Sequence, residues 1–126
     1  MTVVEITFYD QEDIEKIRAL AEDGNVVAQY ELGKIYLEGL SLEADVVDET
    51  EAFHWFNRAA EAGLDTAQCS LGILYLNGQG VEKDEDEAVF WLSQSSNQGL
   101  PAAHYNLGLC YAKGYGVDAD PTEAAY

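Results

Sequence analysis

The chain is short of positive charge. Only 6 of its 126 residues are lysine or arginine, whereas 24 are aspartate or glutamate, which gives a formal net charge of −18. A surface of that sign repels phosphate backbones and anionic lipid headgroups, so we expect neither nucleic acid nor a membrane as a partner. It favours a protein or peptide partner, and a basic one in particular. Since 48% of the residues are hydrophobic, the charge belongs to a folded domain and not to a disordered acidic tail.

Long apolar runs and cysteines are also scarce. The first residues have no basic segment followed by an apolar one, as a signal peptide would, and no stretch reaches transmembrane length. We therefore expect a cytoplasmic protein. The two cysteines, Cys69 and Cys110, form neither a C-x-x-C motif nor a disulfide framework, and we expect both to be reduced thiols in the core.

Motifs of catalysis and cofactor binding are absent as well. The chain has no phosphate-binding loop, nucleophile elbow or dinucleotide-binding fingerprint. His54 and His104 share no metal-ligand spacing with the cysteines, and both are typical of helix-surface or partly packed imidazoles. We predict no catalytic, cofactor-binding or metal site, and a protein that is not an enzyme.

What the chain does contain is an internal repeat with a period of 36 residues. The pattern Ala-x-x-x-Leu-Gly-x-x-Tyr-x-x-Gly occurs three times, and a second pattern built around a tryptophan follows it. The first connection, between Gly39 and Asp48, has three extra residues. The recurring positions are Ala28, Leu32, Gly33, Tyr36 and Trp55, then Ala67, Leu71, Gly72, Tyr75 and Trp91, then Ala103, Leu107, Gly108 and Tyr111.

The first half of each repeat predicts a helix, which we call helix A. Its alanine, leucine and tyrosine lie at i, i+4 and i+8 and therefore share one helix face. A glycine inside a helix destabilises it by about 0.5–1 kcal/mol relative to alanine, so the internal glycine predicts a close crossing by the paired helix. The glycine that closes the pattern is placed for a left-handed C-terminal cap.

The second half predicts a second helix, helix B. Aspartate precedes glutamate by three residues at Asp48, Asp84 and Asp120, as in an acidic capping box, and Pro121 would open the last copy. Gly63 and Gly99 are predicted to end the helix. The third copy contains only six residues of helix B, 121–126, and we expect Leu107 and Tyr111 to be incompletely covered.

The repeat pattern also predicts how the chain is divided. Residues 1–12 form an N-terminal extension of uncertain conformation, with strand-like alternation over residues 2–9. Residues 13–126 form a single repeat domain: an unpaired capping helix B at 13–27, repeat 1 at 28–66, repeat 2 at 67–102 and an incomplete repeat 3 at 103–126. One helix pair cannot bury its apolar face alone, so the pairs must stack.

The two patterns, together with Gly78-Gln-Gly80-Val81 and Gly114-Tyr-Gly116-Val117, resemble the Sel-one-like repeat family, relatives of the tetratricopeptide repeats. Repeat 1 departs from the family pattern after Gly39, where residues 40–47 replace Gly-x-Gly-Val and its acidic loop. The resemblance implies an all-α fold, a right-handed α-solenoid of antiparallel helix pairs. It also implies an adaptor, chaperone-like or inhibitory binding surface, most often in a bacterial protein.

In related solenoids the A helices line the concave face, and the resemblance places the partner there. The side chains beside the core stripe are then the candidate binding residues: Glu31, Lys34, Ile35 and Glu38 in repeat 1, Ser70, Ile73, Leu74 and Asn77 in repeat 2, and Asn106, Leu109 and Lys113 in repeat 3. Apolar side chains rimmed by polar ones suit a helix or an extended peptide. The alternative for the four apolar residues is packing against neighbouring helices.

Two functions from different classes fit these features. The first is an adaptor or scaffold that binds a protein or peptide in the A-helix groove. The second is a stoichiometric inhibitor or immunity-type protein whose acidic surface masks a basic toxin or enzyme. Self-association through the incomplete third repeat is a further expectation.

Overall fold

The fold consists of six helices in a computed structural model that describes residues 9–40 and 47–116. They are α1 Gln11–Glu22, α2 Val26–Glu38, α3 Glu49–Glu61, α4 Asp65–Asn77, α5 Glu85–Asn97 and α6 Pro101–Lys113. Each helix packs against the next in an α-solenoid, and the predicted all-α fold is confirmed. In the terms used above, α2, α4 and α6 are A helices, and α1, α3 and α5 are B helices.

The helix ends follow the capping residues in the sequence. The Asp48 side chain accepts a hydrogen bond from the Glu51 N–H, and that of Asp84 accepts from the N–H groups of Asp86 and Glu87, so these predicted N-caps are confirmed. Glycines in the left-handed region close the A helices, with φ between 66° and 72°. The predicted cap at Asp120, the short helix after it and the strand-like residues 2–8 lie outside the described residues.

The glycine inside each of the first two A helices marks a helix crossing. A Cβ atom at Gly33 would lie 2.9 Å from the Phe56 ring of α3. At Gly72 it would lie 2.8 Å from Cγ of Leu92 and 3.1 Å from a backbone oxygen of α5. The predicted close approach of the paired helix is therefore confirmed at both positions.

The core is a series of small clusters between successive helices, and it contains the repeated alanines, leucines and Trp55. Leu107 is half-buried, whereas its counterparts Leu32 and Leu71 are fully buried, so the expected incomplete cover is confirmed there. Tyr111 is half-buried too, but so are Tyr36 and Tyr75, and it does not differ from them.

The connection from helix A to helix B ends with the same backbone hydrogen bond in both repeats. The Asp48 N–H donates to the Tyr36 carbonyl at 2.9 Å, and the Asp84 N–H donates to the Tyr75 carbonyl at 3.0 Å. The first connection is three residues longer than the second. The aspartate therefore returns to the same place whatever the length of chain between.

The division of the chain into an extension, a capping segment and three repeats stays a prediction. The first helix covers Gln11–Glu22, and α2 begins at Val26, two residues before the predicted start of repeat 1. Among the helices described, none is both long enough and apolar enough to cross a bilayer.

Candidate partner-binding surfaces

Three equivalent positions recur on each A helix and carry both polar and apolar side chains. They are spaced i, i+3 and i+7, which places them on one side of the helix, and each is at least partly exposed. We call this set the A-helix face: Glu31, Lys34 and Glu38 on α2, Ser70, Ile73 and Asn77 on α4, and Asn106, Leu109 and Lys113 on α6. The last residue of each triplet is exposed to solvent.

Two predicted binding residues, Ile35 and Leu74, are core residues instead. Ile35 is 3% exposed and packs in the cluster that contains Trp55, while Leu74 is 1% exposed and packs against Phe56. Each follows the core leucine of its helix by three residues, so it lies on the same side as that leucine. A helix that packs on two neighbours buries a wider face than an i, i+4, i+8 stripe. The prediction of a partner-facing position is therefore wrong for these two residues.

The other two apolar candidates are half-buried. Ile73 packs against the cluster that includes Leu92, Ala103 and Cys110, so part of its surface is already used between helices. Leu109 lines an open cavity of about 510 Å³ along α6, together with Tyr105. Tyr105 lies outside the A-helix face as defined and is 67% exposed, so an exposed aromatic side chain borders the face beside Leu109.

The polar side chains of the A-helix face are held by local contacts. The Tyr9 hydroxyl donates to a Glu31 carboxylate oxygen at 3.1 Å, and the Lys34 ammonium lies 3.8 Å from the other oxygen. Burial raises the pKa of Tyr9, and the Glu31 charge raises that pKa further. The Asn77 side chain donates a hydrogen bond to the Gln79 side chain, and the Asn106 side chain donates one to the Ala102 carbonyl. With two glutamates and two lysines, the face is close to neutral although the chain is strongly acidic.

A second surface, which the sequence did not single out, is an open cavity of about 720 Å³ between α3, α4 and α5. We call it the Tyr75 pocket. Its aromatic walls are Phe53, Tyr75 and Trp91, and the Phe53 and Tyr75 rings meet edge to face at 5.5 Å between centroids. Its charged walls are the carboxylates of Glu61, Glu82, Asp84 and Glu87 and the ammonium of Lys83.

The carboxylates act on the tyrosine at the base of the pocket. Burial raises the pKa of Tyr75, and the negative charges of Glu87, Asp84 and Glu61 raise that pKa further. These acids come from the end of α3 and the start of α5. The sequence predicted the helix cap at Asp84, which is confirmed, but it gave no sign that Glu61 from another helix joins the same group.

The groups that could support chemistry are dispersed or buried. His54 is exposed, and His104 is exposed with its Nδ1 atom 2.9 Å from the Ser96 hydroxyl. Cys69 and Cys110 are buried free thiols, as predicted, and burial raises the pKa of both. Across residues 9–40 and 47–116, no three or more histidines, cysteines or carboxylates are grouped so that they could hold a metal ion.

Stacked helix pairs with a repeated surface stripe define the class of the molecule: a helical repeat protein of the α-solenoid type. The profile of the Sel1 repeat matches residues 26–64, 65–100 and 101–126. The chain belongs to the Sel1 repeat family, which confirms the resemblance in the sequence. The Sel1 repeat is a protein-interaction fold.

Two solved structures show the same fold. The Sel1 repeat protein from Oxalobacter formigenes is 27% identical, with a TM-score of 0.83 over 90% of this chain and 32% of that one. A protective antigen present in uropathogenic Escherichia coli strains, which displays an SLR fold, is 41% identical, with a TM-score of 0.80 over 88% of this chain and 23% of that one.

Curated relatives match over a shorter stretch. The chitin synthase regulator SKT5 of Saccharomyces cerevisiae is 44% identical over 61 residues, which is 48% of this chain and 9% of the relative. The ERAD-associated E3 ubiquitin-protein ligase component HRD3A of Arabidopsis thaliana is 37% identical over 72 residues, 56% of this chain and 10% of the relative. The chain thus spans about a tenth of each of these relatives.

Proposed function

We propose that this chain is a protein-interaction module, an adaptor or scaffold, that binds a protein or peptide segment along the A-helix face. The observation that carries the proposal is the recurrence of three accessible positions on three successive A helices, each fixed on a packed helix. A rigid surface loses little conformational entropy when it binds. The names of two relatives, a regulator and a ligase component, also describe proteins that work with other proteins.

The A-helix face suits a partner that is not strongly charged. Its lysines and glutamates balance, and the exposed Tyr105 borders it beside Leu109. Exposed aromatic and aliphatic side chains are the usual anchors of protein interfaces. A partner segment with two or three apolar side chains at helical or extended spacing would match this surface.

The alternative is a stoichiometric inhibitor or immunity-type protein, and the formal charge of −18 favours it. Such a protein would bind one basic target tightly, with an association rate that falls steeply as salt is added. The third proposed mode, self-association, would use the open cavity along α6. It predicts that the apparent mass in light scattering rises with protein concentration.

The test is affinity capture with matched variants. Ser70→Arg with Asn77→Arg places two bulky cations on the A-helix face, and Thr50→Arg with His54→Arg places the same two charges on the exposed side of α3. We expect the first variant to lose the captured partner and the second to retain it, with both unfolding at the temperature of the wild type. Equal retention by both would overturn the proposed surface.

A further inference from the structure

Two junctions between successive helices have the same architecture. The first lies between α1, α2 and α3, and the second, which contains the Tyr75 pocket, lies between α3, α4 and α5. Aligned on the repeat, Tyr36 corresponds to Tyr75 and Trp55 to Trp91. On the preceding B helix, Arg18 corresponds to Asn57, because each stands 18 residues before its tyrosine.

In the first junction, the chain's own arginines cover the aromatic pair. Arg18 donates a hydrogen bond to the Tyr36 hydroxyl, and its guanidinium carbon lies 5.6 Å from the centre of the Tyr36 ring. The guanidinium carbon of Arg58 lies 4.9 Å from the centre of the Trp55 ring. These are the only two arginines in the sequence.

In the second junction, neither arginine has a counterpart. Asn57 donates to Glu61 at 3.2 Å instead of reaching the tyrosine, and Gln94 stands where Arg58 stands in the first junction. Within the described part of the chain, the one cation that lines the pocket is Lys83, whose side chain is 61% exposed and whose ammonium lies 4.0 Å from a Glu85 carboxylate oxygen. Four carboxylates and three aromatic rings thus surround an open space where the first junction holds a guanidinium.

We propose that the Tyr75 pocket receives the guanidinium of an arginine from a protein partner, in the position that Arg18 takes on Tyr36. A guanidinium is planar, stacks on tyrosine and tryptophan rings and donates paired hydrogen bonds to carboxylates. The pocket offers both kinds of group within one cavity. This inference rests on the proposed function as a protein-interaction module, and it gives that partner a defined chemical feature.

The experiment needs no identified partner. The isotope-labelled chain is titrated, at physiological salt, with N-acetyl-arginine methylamide and followed by NMR. The citrulline analogue, which has the same shape without the charge, is the ligand control, and the lysine analogue is titrated in parallel. We expect the NMR signals of Phe53, Tyr75 and Trp91 to shift and reach saturation with the arginine compound alone. Only the guanidinium can both stack on an aromatic ring and donate hydrogen bonds to two carboxylates.

Matched variants locate the site. Glu61→Gln with Glu87→Gln removes two pocket carboxylates, and we expect it to weaken arginine binding at least about fivefold, on the scale of charge-assisted contacts. Glu22→Gln with Glu51→Gln changes the equivalent residues of the first junction and should leave binding unchanged. Asn57→Arg recreates Arg18 in the second junction and should abolish binding of the added arginine while the chain stays folded.

Each outcome decides. Equal shifts with citrulline, lysine binding as tight as arginine, or loss of binding in the Glu22/Glu51 variant would each overturn the assignment. If arginine fails to bind while a partner is still captured on the A-helix face, this inference falls and the proposed function stands. If arginine binds and no partner is captured, the pocket is supported and the proposed A-helix interface falls.

Discussion

The first and second junctions share the repeated tyrosine, tryptophan and capping aspartate, yet each lacks one contact that the other has. In the first, Arg18 meets Tyr36, whereas in the second Asn57 leaves Tyr75 facing an open pocket. In the second, the side-chain oxygen of Gln68 accepts a hydrogen bond from the Gln98 side chain. The equivalent side-chain oxygen of Gln29 is buried without a partner in the described residues. Repetition therefore fixes the packing of the helices, while single substitutions decide which polar groups are left for a ligand.

The largest effect is expected from the crossing glycines. Gly72→Ala would push a methyl group against Cγ of Leu92 and the Ala88 carbonyl oxygen, which the backbone of α5 holds in place, whereas the atoms nearest a methyl group in Gly33→Ala all belong to the Phe56 ring. Overpacking costs about 1–3 kcal/mol, and the gain in helix propensity offsets about 1 kcal/mol. We expect a loss of roughly 2 kcal/mol for Gly72→Ala and roughly 1 kcal/mol for Gly33→Ala in urea unfolding. Equal losses would mean that the two crossings are equally adaptable.

The next effect separates Arg18 from its counterpart. Arg18→Ala removes the donor to the Tyr36 hydroxyl and the stacked guanidinium, and we expect it to lower the free energy of unfolding by about 1–2 kcal/mol. Asn57→Ala removes only an exposed contact with Glu61, and we expect it to change the free energy of unfolding by less than about 0.5 kcal/mol. Thermal unfolding of the two variants side by side measures the difference. A similar loss in both would contradict a special role for Arg18.

A smaller change in stability is expected when the hydrogen bonds of Gln98 are introduced into the first junction. Gln98 donates to the Gly63 carbonyl and to Gln68, and its counterpart in repeat 1 is Ala62. Ala62→Gln should supply the same two hydrogen bonds to Gly24 and Gln29 and stabilise the chain by about 1 kcal/mol. Gln98→Ala should destabilise it by a similar amount. Ala62→Glu, which cannot donate, is the control, and stabilisation by that variant would show that hydrogen bonding is not the cause.

The smallest effect concerns the ionisation of Tyr75. Because Glu87 is one cause of its raised pKa, Glu87→Gln should lower that pKa, and Glu51→Gln in the first junction should not. A tyrosine whose pKa is higher in the folded state stabilises the fold fully below the unfolded pKa of about 10, and this contribution is lost as the pH rises through the folded pKa. NMR of the chain with isotope-labelled tyrosine, followed between pH 9 and pH 12, resolves Tyr75 from the other seven tyrosines in both variants. A Tyr75 pKa unmoved by Glu87→Gln would mean that burial and the other two carboxylates, Asp84 and Glu61, account for the raised pKa.

Much of the fold could be predicted because the determinants are local. The capping aspartates and the closing glycines act within a few residues, the crossing glycines recur at the same place in each repeat, and the structure confirms them. The burial of Ile35 and Leu74 depends on how many neighbours a helix has, which a single helix pattern does not contain. The Tyr75 pocket draws on residues from Phe53 to Trp91. Its signal, an arginine replaced by Asn57 at an equivalent position, becomes visible only when the B helices are aligned.

The hydrogen bond that closes both A-to-B connections has a consequence for engineering the chain. Since Asp48 and Asp84 dock on equivalent tyrosine carbonyls although one connection is three residues longer, the length of this segment is decoupled from the register of the helices on either side. Two connection lengths that differ by three residues are both compatible with this docking of the aspartate. The segment between Gly39 and Asp48 is accordingly the natural place to graft a peptide tag or a reporter into the chain.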